Sequence, residues 1–392
     1  SYITLFHRDV HQNKPQTQSA EKKHQTLPGG SCAKMKRTPI RVGLWGIGRA
    51  GHNMHCQEMD QFPDRFRIVA ACDTDESRVR NLVDRYHCAG YTNGAEFLKD
   101  PNVELVSIAV RSTEHVDYAL KALKAGKIVF LEKPFALAPE GLKKLEEAVK
   151  EYPGRLYFRH NRRFEAAFNH IREIIAGGIL GEVFEIKLRR HNYQSREDWQ
   201  TILSCGGGQI NNWGPHLIDH SLLLLESPLE SVWSDLKHVS SKGDADDHIK
   251  VIFRGRNGRI VDLEISNCIL IPSDVYSVYG TRGTLVSHDE TDLHLKYLDP
   301  SMELPKTHSS AGNPPWDGGY GDADKWPWIE KTIPVAPSNG YKMTDIYKYL
   351  YDAIRDGVPF PVKPEEAFAV IRTTAEIKRQ NPQFPVQGDR FE

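Results

Sequence analysis

Four short strings in this 392-residue chain hold residue types suited to work on one small molecule. Gly46-x-Gly48-x-x-Gly51 has the spacing of a pyrophosphate-binding turn: Gly46 for the tight bend, Gly48 for close backbone approach to the phosphates, Gly51 for close helix–strand packing. Ile47 and Arg49, between the glycines, are cofactor-contact candidates with them. Alone, such a string is common in glycine-rich loops. Asp73 adds to it, because a carboxylate ending the next strand accepts hydrogen bonds from ribose hydroxyls and repels a 2′-phosphate, which favours NAD over NADP. Arg78 and Arg80, a turn or two later, pull towards NADP. In Glu132-Lys133-Pro134 a lysine stands at a strand end, where the ordinary state is a solvated ammonium. In Gly214-x-His216-x-x-Asp219-His220 two imidazoles lie at i and i+4 on one helix face, a spacing that suits a metal. No third ligand stands at diagnostic spacing, so no metal is expected, and Asp219 and His220 read as packed, hydrogen-bonded helix residues.

These strings need elements to hold them. From Ile40 short β-branched runs alternate with helical stretches, which predicts a parallel sheet with crossover helices. Strands are predicted over Arg41–Trp45, Arg67–Cys72, Val103–Val110, Lys127–Leu131 and Arg155–Phe158, with helices over Arg49–Met59, Glu76–Tyr86, Glu114–Lys124 and Glu140–Lys150. Gly126 stands where a left-handed cap residue belongs, and Pro139 where a first-turn proline is tolerated. After about residue 160 the texture changes. A helix ending at Gly177-Gly178 leads to a strand near Val183–Leu188, and a helix near His216–Leu225 leads to six short strands. These run over Ser231–His238, His248–Phe253, Arg259–Ser266, Asp274–Gly280, Thr284–Ser287 and Leu293–Tyr297, split by turns such as Arg256-Asn257-Gly258, as in an antiparallel sheet. Residues 300–340, rich in Gly, Pro and Trp, read as a functional or interface loop, and helices near Thr344–Asp356 and Pro364–Gln380 close the chain. The expected fold class is α/β: an N-terminal Rossmann domain over 39–158, then an α+β domain over 159–392 with a large, mostly antiparallel open sheet.

Composition removes several function classes. Lys plus Arg (51) balances Asp plus Glu (52), so no global field draws in nucleic acid or an anionic membrane. No apolar run is long enough to span a bilayer and the first residues lack a signal-peptide layout, which makes the cytoplasm the default expectation. Cysteines 32, 56, 72, 88, 205 and 268 form no C-x-x-C pair, so reduced thiols are expected and not a zinc ribbon or a disulfide framework. Residues 1–38 are polar, aperiodic and basic, and read as a flexible tail with Met35 as a candidate start. An arm wrapping a neighbouring subunit is the alternative, against which stands the scarcity of apolar residues to bury.

Phe130-Leu131-Glu132-Lys133-Pro134-Phe135, a strand running into the Glu-Lys-Pro string, resembles the signature of the glucose–fructose oxidoreductase, inositol dehydrogenase and MocA family. Further likeness lies in His115 through Gly126-Lys127, Asn161-Arg162-Arg163-Phe164, Gly206-Gly207-Gly208 ahead of the Gly214-x-His216-x-x-Asp219 string, and Tyr279-Gly280-Thr281-Arg282-Gly283-Thr284. The similarity runs from roughly residue 40 to 380. It implies a nicotinamide held between a Rossmann domain and a second domain whose open sheet makes a homodimer or homotetramer. Lys133 takes the place of the lysine that hydrogen-bonds the reacting oxygen, His216 that of the acid/base histidine, and Glu132, Pro134 and Arg111 fall beside the cofactor. The chemistry is compatible: hydride loss from a carbinol carbon develops negative charge on its oxygen, which an ammonium stabilises and a near-neutral imidazole can deprotonate. Burial beside the cofactor is expected to lower the lysine pKa.

One departure from the family is instructive. Four residues before the histidine, where many members carry Asp, stands Asn212, which orients but cannot serve as a base or an anionic partner. His216 is therefore expected to be less readily protonated, with more of the catalysis resting on Lys133. By resemblance Arg162, Arg163, Tyr193, Trp199, Asn212 and Trp213 line the cleft, a mix of donors and aromatic faces suited to a small polyhydroxylated ring. Trp316, Tyr320, Trp326 and Trp328 extend that surface or sit in a subunit interface. The implied activity is hydride transfer between NAD(H) and a secondary alcohol of a sugar, sugar derivative or cyclitol. Two alternatives from the same family are a hydrolase that cleaves glycosides by transient oxidation with tightly held NAD, and a non-catalytic NAD-binding regulator. A silent fold has no need of Lys133 and His216, and hydrolysis without net cofactor turnover separates the hydrolase.

Overall fold

The computed structural model describes residues 38–303, 310–312 and 326–391; the expected tail before Thr38 and the aromatic residues Trp316 and Tyr320 lie outside the described residues. Ile40, Val42 and Leu44 are wholly buried, as a strand covered on both faces requires. They belong to β1 (Ile40–Trp45), which leads through a wide helical turn, Ala50–Cys56, into α1 (Gln57–Met59). Then follow β2 (Phe66–Cys72), α2 (Glu76–Tyr86), β3 (Ala89–Tyr91), α3 (Gly94–Lys99), β4 (Leu105–Ile108), α4 (His115–Lys124), β5 (Ile128–Leu131), α5 (Pro139–Glu151) and β6 (Leu156–Phe158). The six strands pair in parallel in the order β3-β2-β1-β4-β5-β6. That order reverses between β1 and β4, and the crevice outside the strand ends at such a switch point is where this fold binds ligands. Gly126 has φ +76° and Pro139 opens α5, as their sequence positions imply. The edge strand β3 was not expected: Ala89-Gly90-Tyr91 has no β-branched residue to announce it. Nor was α3, although Asn93 caps it by accepting from Ala95 N and Glu96 N.

The second sheet has eight strands in the order β14-β13-β12-β11-β7-β10-β9-β8. Its chain runs α6 (Ala166–Ala176), β7 (Val183–His191), α7 (Gln209–Asn212), α8 (Gly214–Leu225), β8 (Leu229–Lys237), β9 (His248–Gly255), β10 (Ile260–Ser266), β11 (Tyr276–Gly280), β12 (Gly283–Ser287), β13 (Asp292–Leu298) and β14 (Trp328–Pro334). All neighbours are antiparallel except β7 and β10. The fold class is therefore the one expected, a parallel Rossmann sheet followed by a large, mostly antiparallel one. Strand β14 corrects the reading of residues 300–340 as loop throughout. It pairs with β13 from Asp292–Pro334 to Leu298–Trp328 and buries no residue fully, so no apolar alternation marked it. Trp328 lies in this edge strand.

The last two helices do not follow chain order in their packing. Ile346, Tyr347, Leu350 and Tyr351 of α9 (Asp345–Asp356) share a core with Ile40, Val42 and Leu44 of the first sheet. Helix α10 (Pro364–Gln380) puts Ala367, Phe368 and Ile371 into a core with Val129 and Phe158, but Val370 and Ile377 into the core of the second sheet. It thereby ties the two sheets together. Among the described residues no helix is long and apolar enough to cross a membrane.

Candidate functional site

Gly46 leaves β1 with φ +94°, and its N–H donates to Cys72 O at 2.9 Å. A β-carbon on Gly51 would lie 2.0 Å from Gly46 O, so only glycine lets the helical turn pack this close to the strand. A β-carbon on Gly48 would meet no protein atom within 4 Å; the open side of the turn faces space. Asp73 is oriented by the chain itself, accepting from Ile47 N at 2.6 Å on Oδ2 and from Asp75 N at 3.0 Å on Oδ1. Each oxygen keeps a lone pair for a ribose hydroxyl. Arg78 lies 3.9 Å from Asp73, whereas Arg80 pairs with Glu76. Together with the exposed Arg49, these groups fit a dinucleotide.

At the end of β5 the backbone delivers Glu132, Lys133 and Pro134 into a dense polar network. Glu132, only 4% exposed, accepts from Lys133 N at 2.5 Å and from Arg159 at 2.6 Å, with His55 Nε2 at 3.5 Å. Wholly buried Arg159 donates also to Glu58 at 2.5 Å, and His55 Nδ1 lies 2.7 Å from Ser107 Oγ and 3.0 Å from the Tyr347 hydroxyl. Burial raises the Glu132 pKa, but Arg159 and His55 more than offset this and hold the carboxyl well below its usual range. The Glu132 carboxylate is thus turned inward into this network. The Lys133–Pro134 peptide is cis, and a ring nitrogen of His115 lies 2.6 Å from Pro134 O.

Lys133 and Pro134 line an open cleft of about 230 Å3 with Trp199 and Asn212. Ser112, Gln200, Asn211 and the Gly206–Gly208 turn complete the walls, none of them expected at the site except through the glycine triplet's place in the family pattern. Lys133 Nζ donates to Asn212 at both its oxygens, 2.8 Å to the backbone O and 3.3 Å to Oδ1. Burial pulls the lysine down to about 8; Glu132 opposes the fall, and Arg162, Arg49 and Arg159 add to it. His216, 7% exposed, has no hydrogen-bond partner on Nδ1 and lies near the His160 ring, centroids 6.4 Å apart. Burial first, then the charges of Lys133 and Arg162, push its pKa well below the usual value. Its charged form is thereby disfavoured, the direction expected with Asn212 in place of an acid, and burial is the first cause.

The remaining candidates divide. Arg111 packs its guanidinium 5.9 Å from the Trp199 ring at the cleft. Arg162 lies 4.3 Å from the Trp213 ring centroid and Arg190 4.9 Å, so two cations already pack on that indole; Arg162 also bonds Glu165 and Arg190 bonds Glu290. Arg163 corrects the sequence reading. It is buried, grips Asp219 with two bonds of 2.7 and 2.6 Å, and reaches Pro361 O and Glu366, so four of its five donors are engaged inside the protein. Tyr193, 58% exposed, bridges to Cys268 and is no part of the cleft wall. His220 lies 2.9 Å from Arg162 O and stacks on Phe168, so it is a packed helix residue.

The sequence profile of an oxidoreductase family with an NAD-binding Rossmann fold, GFO/IDH/MocA, matches residues 40–160, and that of the GFO/IDH/MocA C-terminal domain matches residues 168–286. The uncharacterized oxidoreductase YdgJ of Escherichia coli is 28% identical over 81% of this chain and 88% of its own. The scyllo-inositol 2-dehydrogenase (NADP(+)) IolW of Bacillus subtilis is 24% identical over 86% and 93%. The crystal structure of an NAD-binding protein from Listeria innocua superposes with a TM-score of 0.75 over 90% of this chain and 97% of its own; at 23% identity this likeness speaks for the fold alone.

Proposed function

Because the chain belongs to the GFO/IDH/MocA oxidoreductase family, we propose that it transfers hydride between NAD(H) and a secondary alcohol of a sugar, sugar derivative or cyclitol. The observation that carries this reading is Lys133, a lysine brought to about 8 at the wall of a polar cleft and aimed by Asn212. The bound nicotinamide supplies the hydride acceptor or donor. Lys133 hydrogen-bonds the reacting oxygen and stabilises the charge that develops there. His216, neutral because it is buried among cations, takes the hydroxyl proton in oxidation and returns it in reduction. Asn212 holds the lysine in place and has no proton role of its own. Trp199 offers the aromatic face for a ring substrate, with Arg111 behind it.

Asp73 supports NAD as the preferred cofactor, although IolW, a relative, is named for NADP. Exposed aromatic residues on the second sheet, Phe184, Trp233 and Trp328, support its use as a homodimer or homotetramer interface. The balanced charge and the cysteine pattern support work in the cytoplasm. The test is a screen of sugars and cyclitols with NAD and NADP in parallel, following the absorbance of the reduced cofactor. Reduction with at least one polyol is expected. No reduction with any polyol, and no cofactor binding, would sink the reading.

A further inference from the structure

Two carboxylates distant in sequence hold the two segments that meet where Lys133 touches Asn212. Asp246, 3% exposed and just ahead of β9, accepts from Ile210 N at 2.8 Å, and its backbone oxygen accepts from Gln209 N at 2.9 Å. These are residues of α7, which ends at Asn212. Gly208 brings the chain so close that a β-carbon there would lie 2.2 Å from Asp246 Oδ1. Asp389 accepts from Leu137 N at 3.0 Å and Ala138 N at 3.1 Å, in the segment that runs on from Lys133-Pro134. A β-carbon on Gly141 would lie 2.1 Å from Asp389 Oδ2, so this carboxylate too is seated against backbone. Lys378 on α10 is 2% exposed and its Nζ makes no hydrogen bond, and the two charges that act on it are Asp246 and Asp389. Its helix is itself anchored: Leu236 N donates to Asn381 Oδ1 at 2.9 Å, and Asn381 Nδ2 donates to Ser234 Oγ at 2.9 Å.

We propose that Asp246, Lys378 and Asp389 form a positioning unit that sets the reach of Lys133 to Asn212, and through it the aim of the lysine at the reacting oxygen. The inference rests on the role given to Lys133 above. Burial raises each acid to about 6; at Asp246 the Ile210 N–H and then Lys378 oppose the rise, and both acids in turn favour the charged form of Lys378. Without the ammonium, buried Asp246 and partly buried Asp389 lose a cation that acts with both, behind the two halves of the Lys133–Asn212 contact. An ångström of displacement at a reacting group costs on the order of a hundredfold in rate.

The first readout needs no substrate. Lysines of the full-length protein are reductively methylated with a 13C label and titrated by NMR, the Lys133 signal being identified by its loss in Lys133→Arg. Lys133 faces Glu132, Arg162, Arg49, Arg159, His216 and His115, all retained in the variants, so a moved midpoint reports a changed position of the ammonium held by Asn212. Lys378→Met and Asp246→Ala are expected to move the midpoint from about 8 to below roughly 7.5, because the contact favours the charged lysine. Asp246→Asn, which keeps an acceptor for Ile210 N, recovers most of it, and serves with Asp389→Asn if the harsher variants do not fold. On an active substrate kcat falls about tenfold with the cofactor Kd unchanged. An unmoved midpoint in folded variants overturns the proposal, as does a cofactor Kd that weakens in step with kcat. If the midpoint moves but the wild type reduces no cofactor with any polyol, the positioning unit stands and the hydride-transfer reading fails.

Discussion

On the proposed cofactor side the ligand-facing groups are the backbone of the Gly46–Gly51 turn, open at Gly48, and one carboxylate fixed by Ile47 N and Asp75 N. On the proposed substrate side they are largely side chains, brought to one cleft from the end of β5, from α7 and from the segment around Trp199. The first kind of site leaves a spaced glycine string in the sequence, because backbone approach excludes side chains at fixed intervals. The second leaves single residues whose type says little, since an arginine that binds a ligand and one that closes an internal ion pair look alike. Arg162 and Arg163 are adjacent and were read alike, yet one packs on Trp213 beside the cleft and the other is locked to Asp219. Arg163→Ala is the harshest way to sharpen this. It leaves Asp219 buried and unpaired, with an expected loss of about 3–5 kcal/mol of folding stability. Arg162→Ala, partly exposed, should leave the melting temperature nearly unchanged and raise KM. Thermal melts of both, with KM measured on whatever folds, decide it; equal destabilisation removes the distinction.

Lys133→Met is the next largest effect and falls on the seam between the two walls. Losing the donor to the reacting oxygen should lower kcat by about a hundredfold to a thousandfold, while NAD affinity stays within a few-fold because the glycine turn and Asp73 are untouched. Stopped-flow hydride transfer and a cofactor titration separate the two terms. Unchanged turnover would refute the assigned role.

Both sheets were legible in outline because most of their strands carry β-branched runs; the strands missed lack such a run, and α3 was missed despite its Asn93 cap because six residues are too few to show a helical period. Strand β3 is Ala-Gly-Tyr, and β14 alternates nothing. Lys133, Trp199 and Asn212, which line one cleft, and Gly46 and Asp73, at the ends of β1 and β2, were legible as candidates from spacing or resemblance. The network behind them was not. His55 and Glu58, Arg159, and Tyr347 come from three separate stretches of chain and meet only after folding, and Asp246 likewise lies far in sequence from Lys378 and Asp389. No local pattern marks a buried charge whose partner lies 100 or more residues away, as Arg159 and Glu58 show at a separation of 101. Glu132 shows the complementary limit of a motif: its string was recognised, but a motif does not tell which way a carboxylate faces.

The Asn212 position allows a gentler test of the substrate wall. Lys133 must carry its proton to stabilise the developing oxygen charge, so activity should fall as pH rises through about 8. His216, pushed well below its usual value, stays neutral across the same range and adds no acid limb near 6.5. Asn212→Asp places an anion against the ammonium and should carry the alkaline limb upward by about one pH unit. The pH profile of kcat for both proteins is the measurement. A limb that stays in place would mean that some group other than Lys133 controls it.

The smallest effect is expected on the cofactor wall. Arg78, half exposed, lies 3.9 Å from Asp73 and 3.4 Å from Asp75, so in the free protein its charge is spent on two acids. A 2′-phosphate would compete for it, but Asp73 cannot withdraw, because Ile47 N and Asp75 N hold both of its oxygens in place. Repulsion from a fixed carboxylate should therefore outweigh attraction from an exposed guanidinium, which solvent and salt screen. Arg78→Ala is accordingly expected to weaken NADP binding by roughly threefold and leave NAD almost unchanged. Equilibrium titrations of both cofactors at low and high salt read this directly. A loss of tenfold or more for NADP would show that Arg78, and not Asp73, sets the preference, and would reverse the cofactor assignment drawn from the carboxylate.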